Sequence, residues 1–306
     1  MLPSDPDMQP TRRRFVQLAR AGYGLGASDE FAVPYRDAGR AGTLPGYRFT
    51  PANPKGTLLL FGGYDGYIEE LVPMGRVFSD AGFDAVLFEG PGQGRALEES
   101  GLPMTHEWEK PVATLLDHLG LVDVSLMGVS LGGYLAIRAA AFEPRIQRVI
   151  ADDVIYDFFA TSLHQESSAA RFVLNAGIDL DAAPVVNAAL ESAARKSFVT
   201  EWGVQQGIHV MGATSPYEYL KFTKRYTAAE ISQLVKQDVL LLAGRRDHFV
   251  PVEMLYRQIE ALPNVRSLTA RLFTEADHAQ EHIQVGNIGL SLQVILDWLD
   301  RMLASR

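Results

Sequence analysis

A chain of 306 residues, 47% of them hydrophobic, has the apolar material for a large core and is short enough to fold as one α/β unit. Its net charge of −9 argues against a nucleic-acid surface, which needs a basic stripe, and speaks to solubility rather than to substrate. The absence of cysteine excludes disulfides, thiol catalysis and thiolate metal sites, and no run approaches the roughly 18 uncharged apolar residues of a membrane helix.

Residues 1–10 hold three prolines and read as a disordered tail. Thr11-Arg12-Arg13-Arg14-Phe15-Val16 loosely resembles a twin-arginine export motif, but Arg20 follows and the long apolar run of a signal peptide is missing. The segment reads as an amphipathic helix with Phe15, Val16, Leu18 and Ala19 turned inward, and the chain as cytoplasmic.

Three strands are expected next, at Phe31–Tyr35, Thr43–Thr50 and Thr57–Phe61, the last two separated by the proline- and glycine-bearing turn Pro51–Gly56. From Gly62 helices and strands alternate: helix Ile68–Ala81, strand Ala85–Phe88, helix Trp108–Leu119, strand Val122–Met127, a helix after Ser130, and strand Ile146–Ala151. The strands are apolar runs, as in a parallel sheet covered on both faces. The alternation stops at Asp157 and resumes with strand Val239–Ala243, helix Val252–Leu262, strand Ser267–Phe273 and helix Ile288–Leu303. This pattern predicts an α/β fold with a mostly parallel, doubly wound sheet. Its parts are a tail and helix (1–30), a core (31–156 and 231–306) and an inserted helical lid (157–230).

Gly128-Val129-Ser130-Leu131-Gly132 fits G-x-S-x-G, with a strand before it and the helix former Tyr134–Ala140 after it. That context makes it a nucleophile elbow, in which a sharp turn lifts the serine hydroxyl above the sheet at a helix N-terminus. A serine needs a base, and the base an orienting acid, in the chain order Ser, acid, His. Asp247, after the strand at 239–243, is the expected acid. His278, after the strand at 267–273, is the expected base. Asp153, or Asp152 beside it, is the alternative acid. His248 adjoins the acid on the wrong loop, His282 lies a turn beyond His278, and His106, His118, His164 and His209 read as surface or lid residues.

The backbone N–H groups of Leu131 and Tyr64, with Gly63 as the alternative to Tyr64, are the expected oxyanion hole. Glu89-Gly90-Pro91-Gly92-Gln93-Gly94 lacks the lysine of a phosphate loop and reads as a structural turn bordering the site. No residues have metal-ligand spacing, so neither metal nor cofactor is expected.

Gly62-Gly63-Tyr64-Asp65 with Glu69-Glu70, the Gly90–Gly94 turn, Gly128–Gly133 and the loops of Asp247 and His278 together resemble one branch of the α/β-hydrolase superfamily. That branch holds 2,6-dihydroxypseudooxynicotine hydrolases, FrsA-like esterases, polyketide-shortening hydrolases and acylaminoacyl-peptidase-like proteins. The resemblance spans roughly residues 45–300. Two departures are a shorter segment before the sheet and Glu89 where the branch more commonly has aspartate. The resemblance implies hydrolysis of an activated carbonyl (ester, amide or ketone C–C bond) and a homodimer.

Ten aromatics between Tyr156 and Tyr226 fit a lid core above a small apolar or aromatic acyl substrate. Two rival readings stay open: a C–C hydrolase of β-diketones or aryl ketones working without an acyl-enzyme, and a non-catalytic ligand-binding protein on the same fold.

Overall fold

The computed structural model describes residues 2–304. The strands are β1 (Glu30–Asp37), β2 (Arg40–Phe49), β3 (Gly56–Phe61), β4 (Phe83–Phe88), β5 (Val124–Val129), β6 (Ile146–Asp152), β7 (Asp238–Gly244) and β8 (Ser267–Phe273). They form one sheet in the order β1-β2-β4-β3-β5-β6-β7-β8. β2 pairs antiparallel with both β1 and β4, and every later pairing is parallel. The chain winds outward from β3 through β4, then crosses back to β5. The C-terminal ends of β3 and β5 therefore flank the switch point where a doubly wound sheet leaves a crevice.

Side chains alternate across the pleat. Leu59 and Phe61 join one apolar cluster with Phe88, Trp108 and Leu126, while Leu58 and Leu60 join a second with Leu87, Leu240 and Trp298. Both faces need cover, and the helices supply it. α1 (Met8–Gly22) is followed by α2 (Ile68–Asp80), α3 (Gly94–Glu98), α4 (Glu109–Leu119) and α5 (Gly132–Phe142). Five helices then fall between β6 and β7: α6 (Phe158–Ser162), α7 (Ser168–Asp179), α8 (Ala183–Ala194), α9 (Phe198–Met211) and α10 (Pro216–Thr223). Asp157, Ser167, Ser197 and Ser215 cap four of these, each side chain accepting an N–H three residues on. α11 (Glu253–Glu260) and α12 (Ile288–Ala304) close the fold. α12 covers the second cluster with Ile295, Trp298 and Leu299.

The N-terminal segment departs from expectation. The residues up to 10 are no free tail: α1 starts at Met8, and Ser4 bonds Gln205 at 2.6 Å. Of the four positions expected to face inward on α1, Val16 and Ala19 are half-buried, whereas Phe15 and Leu18 are 38% and 54% exposed. Polar contacts add to the docking. Gln9 and Arg12 both bond Glu98 of α3, and His209 of α9 joins the same carboxylate at 2.9 Å. The aromatics between 156 and 226 also divide. Tyr156, Phe158, Phe159, Tyr219 and Tyr226 are buried, whereas Phe172 and Phe198 lie outside.

Candidate active site

β5 delivers Ser130 into a left-handed turn with φ 60°, before α5 begins at Gly132. The turn is tight enough that a Cβ on Gly128 would sit 1.9 Å from the carbonyl oxygen of Gly132, so glycine is required there. The Ser130 N–H donates to the Asp152 carbonyl at 2.5 Å, binding the elbow to the end of β6.

The side chain that meets Ser130 is His282. Its Nε2 lies 3.0 Å from Ser130 Oγ, and its Nδ1 lies 2.6 Å from Asp247 Oδ2. Asp247 is fixed from behind, Oδ1 accepting the N–H groups of Phe249 and Val250 at 2.7 and 2.9 Å. A second carboxylate reaches the same imidazole nitrogen: Asp153 Oδ2 is 3.0 Å from Nδ1 and also accepts the Ile283 N–H at 2.9 Å. Both carboxylates are 1% exposed. Of the residues expected here, the fold brings together Ser130, Asp247 and Asp153. Asp152 is buried beside them, its Oδ1 without a hydrogen-bond partner among the described residues and its carboxyl in contact with the Gln284 amide.

His278 is not among them, and this corrects the sequence expectation. It is exposed, at the left-handed end (φ 54°) of a 3-10 turn that Thr274 and Asp277 close by capping each other. Beyond it the chain folds back over the end of β7. A Cβ on Gly244 would lie 2.5 Å from the Gln280 carbonyl oxygen, and that oxygen accepts the Arg246 N–H at 2.8 Å. This return run carries His282, rather than His278, across to Asp247. His248, the other near histidine, stands exposed with its ring centroid 6.2 Å from that of His282.

Charge in this cluster follows from the contacts. Burial opposes an imidazolium at His282, but hydrogen bonds to Asp153 and Asp247 outweigh it and push the pKa up to about 10. Burial pushes Asp153 up to about 6. Asp247 is held down to about 2: burial raises it, and hydrogen bonds from His282 and its neighbours more than reverse that. Asp152 is raised by burial and by Asp153. Asp153, Asp247 and His282 lie close enough to share a cation, yet their facing atoms are already engaged with one another.

Gly63 packs against the elbow; a Cβ there would lie 2.7 Å from the Leu131 nitrogen. Tyr64 therefore stands beside Ser130, and among the described residues neither the Leu131 nor the Tyr64 N–H donates to a protein acceptor. Tyr64 is held by α9, its hydroxyl donating to the Gly203 carbonyl at 2.8 Å and its carbonyl accepting from Gln206 at 3.2 Å. Above Ser130 lies a cavity of about 410 Å³, roofed by α6, α8, α9 and α10 through Phe158, Leu190, Trp202 and Tyr219. Sequence reasoning set His282 aside in favour of His278, and it placed Gln93 in a turn bordering the site without seeing that its amide holds the Gly62–Gly63 loop. The spacing of Gln93 from Gly90 was the available signal.

The fold, the elbow and the residues gathered over it define an α/β-hydrolase. The α/β-hydrolase fold family model matches residues 56–280, and the chain belongs to that family. Among curated proteins it is similar to the hydrolyase poxO of Penicillium oxalicum, 29% identical over 302 residues that cover 91% of this chain and 70% of that one. It is also similar to the hydrolase ffsE of Aspergillus flavipes, 30% identical over 250 residues, 73% of this chain and 55% of the relative. Among solved structures, 2,6-dihydroxy-pseudo-oxynicotine hydrolase superposes with a TM-score of 0.67 at 19% identity, over 98% of this chain and 76% of that one. Naproxen esterase of Bacillus subtilis gives 0.59 at 13% identity, over 97% and 100%. At these identities the two structures speak for the fold alone. No helix among the described residues is long and apolar enough to cross a membrane.

Proposed function

We propose that this chain is a serine hydrolase of activated carbonyl compounds, with Ser130 as nucleophile, His282 as base and Asp247 as orienting acid. The carrying observation is the continuous path Ser130 Oγ–His282 Nε2 (3.0 Å) and His282 Nδ1–Asp247 Oδ2 (2.6 Å). Ser130 Oγ attacks the carbonyl carbon as neutral His282 takes its proton. The imidazolium, stabilised by Asp247, protonates the leaving group, and an acyl-serine remains. Water, activated by the same imidazole, then releases the acid. The Leu131 and Tyr64 N–H groups hold the developing oxyanion, and losing one such donor typically costs roughly 100- to 1,000-fold in rate. The block 157–230 serves as a lid whose aromatic underside selects an apolar or aromatic acyl group.

A second reading is hydrolysis of a carbon–carbon bond beside a ketone, where the leaving carbanion must be protonated. Asp153 supports it, because a carboxyl raised to about 6 on the same imidazole adds a second place for a proton. A panel of esters, anilides and diketones separates the two: diketone turnover without ester turnover overturns the first.

Intact mass after exposure to a small fluorophosphonate tests the machinery. Wild type and His278→Ala should each gain one adduct. Ser130→Ala should gain none, and His282→Ala should react at least roughly 1,000-fold more slowly. An adduct on His282→Ala at the wild-type rate, or none on folded wild type, overturns the reading.

A further inference from the structure

Tyr64, whose amide the hydrolytic reading puts in the oxyanion hole, is held by two glutamines from separate elements. Gln93, in the turn after β4, donates to the Gly63 carbonyl at 3.2 Å and so fixes the peptide plane that carries the Tyr64 N–H. Gln206 of α9 donates to the Tyr64 carbonyl at 3.2 Å and fixes the plane that follows. With both planes held, the two soft torsions of Tyr64 are set and its N–H has one direction.

Gln206 is 2% exposed, and its amide has a single orientation. The Tyr64 carbonyl needs a donor, while on the other side Arg12 Nη2 lies 3.5 Å from Gln206 Oε1 and needs an acceptor. Arg12 is in turn paired with Glu98 of α3, which also holds His209 of α9 at 2.9 Å. α9 lies hard against Tyr64. The Gly203 carbonyl accepts the Tyr64 hydroxyl at 2.8 Å, and a Cβ on Gly207 would stand 2.5 Å from that hydroxyl oxygen. Gly203, Gln206 and Gly207 share one helix face by their spacing. The same helix walls the cavity over Ser130 with Trp202 and Val204.

We infer that Gln206 is a positioning residue of the oxyanion hole, through which α9, seated by Arg12, aims the Tyr64 amide at the reacting carbonyl. This rests on the hydrolytic reading above and adds to it a residue of the inserted helical block. Its effect falls on the transition state, where charge on the carbonyl oxygen develops, and binding of the ground-state ester does not draw on it.

The test uses Gln206→Met, which keeps the side-chain length, and Gln206→Leu; neither can donate to the Tyr64 carbonyl. Gln205→Ala, the adjacent position on α9 whose amide oxygen meets Ser4, is the control for a general loosening of the helix. kcat is taken per serine titrated with the fluorophosphonate, so a partly folded preparation does not count as a loss. With para-nitrophenyl butanoate, kcat should fall roughly 10- to 100-fold in both Gln206 variants while KM stays within about two-fold. Affinity for an alkyl trifluoromethyl ketone, whose adduct with serine puts an oxyanion in the hole, should weaken by the same factor. Arg12→Ala should lower kcat roughly five-fold, again with KM kept. Gln205→Ala should match wild type in both measurements. An unchanged kcat in both Gln206 variants, a rise in KM in place of the fall in kcat, or an equal loss in Gln205→Ala overturns this inference alone. Absence of both ester turnover and fluorophosphonate labelling in wild type overturns the hydrolytic reading together with it.

Discussion

The side-chain amide of Gln93 donates to the Gly62 carbonyl at 2.7 Å and to the Gly63 carbonyl at 3.2 Å. Its own oxygen accepts the Gly90 N–H at 3.0 Å. The turn after β4 thereby holds the loop after β3, and with it the Tyr64 amide beside Ser130. Gln93→Ala would leave buried carbonyls unmet and free the loop to drift. Because the role proposed for the Tyr64 amide is to meet charge that develops only in the transition state, kcat on an ester should fall roughly 10- to 100-fold with KM little changed. An unaltered kcat would show that the loop keeps its place without this bond.

Asp153 and Asp247 both favour the proton on His282, while the base form of the site needs that imidazole neutral. Each carboxylate therefore moves the acid limb of the rate profile to higher pH. Asp153→Asn removes one charge yet keeps an acceptor for the Ile283 N–H. The His282 pKa should fall, and the acid limb of kcat/KM should shift down by about one to two units, with activity largely kept. Asp247→Asn shifts the limb the same way, but should also cost roughly 1,000- to 10,000-fold in kcat by misorienting the imidazole. pH–rate profiles of the two variants measure this; an unmoved limb in Asp153→Asn sinks the prediction.

Glu89, 2% exposed, accepts the Ile68 and Arg95 N–H groups at 3.1 and 2.8 Å and fills the space beside Gly94. Burial and neighbouring Glu69 push it up to about 7 from an ordinary 4.5, against the pull of Arg95. In that window the folded chain binds a proton that the unfolded chain has released. Stability should therefore fall as pH rises from 4.5 through 7, by about 3 kcal/mol at most from this group. Glutamine at 89 carries no such proton, so melting temperatures of Glu89→Gln between pH 5 and 8 should decline less than those of wild type. Parallel curves would show that Glu89 does not titrate there.

Much of the fold was legible because its signals are local. Apolar runs alternating with helical periodicity identified every strand from Gly56 onward, and Ser130 stood out because an elbow is encoded within five consecutive residues. Asp247 was read the same way, as a carboxylate immediately after a strand, and the fold sets it against His282. The two inward-facing N-terminal positions failed for the opposite reason: Phe15 and Leu18 have helical spacing, but α1 is docked by Arg12 and Gln9 on Glu98, a residue 86 positions away from Arg12.

The histidine marks where local reasoning stops. His278 and His282 lie on one loop after β8, with the same side chain and the same order after the acid. The sequence determined that one of them would follow Asp247 at the carboxyl edge of the sheet. Tertiary structure decided which, because the 3-10 turn at Glu275–Asp277 leaves His278 exposed at its end and sends the chain back over Gly244. Only then do the Asp153 carboxylate and the Ile283 N–H fix His282 above the elbow, through a contact between residues 130 positions apart. That choice depends on where β6, β7 and the return loop lie in space, and no spacing along the chain encodes it.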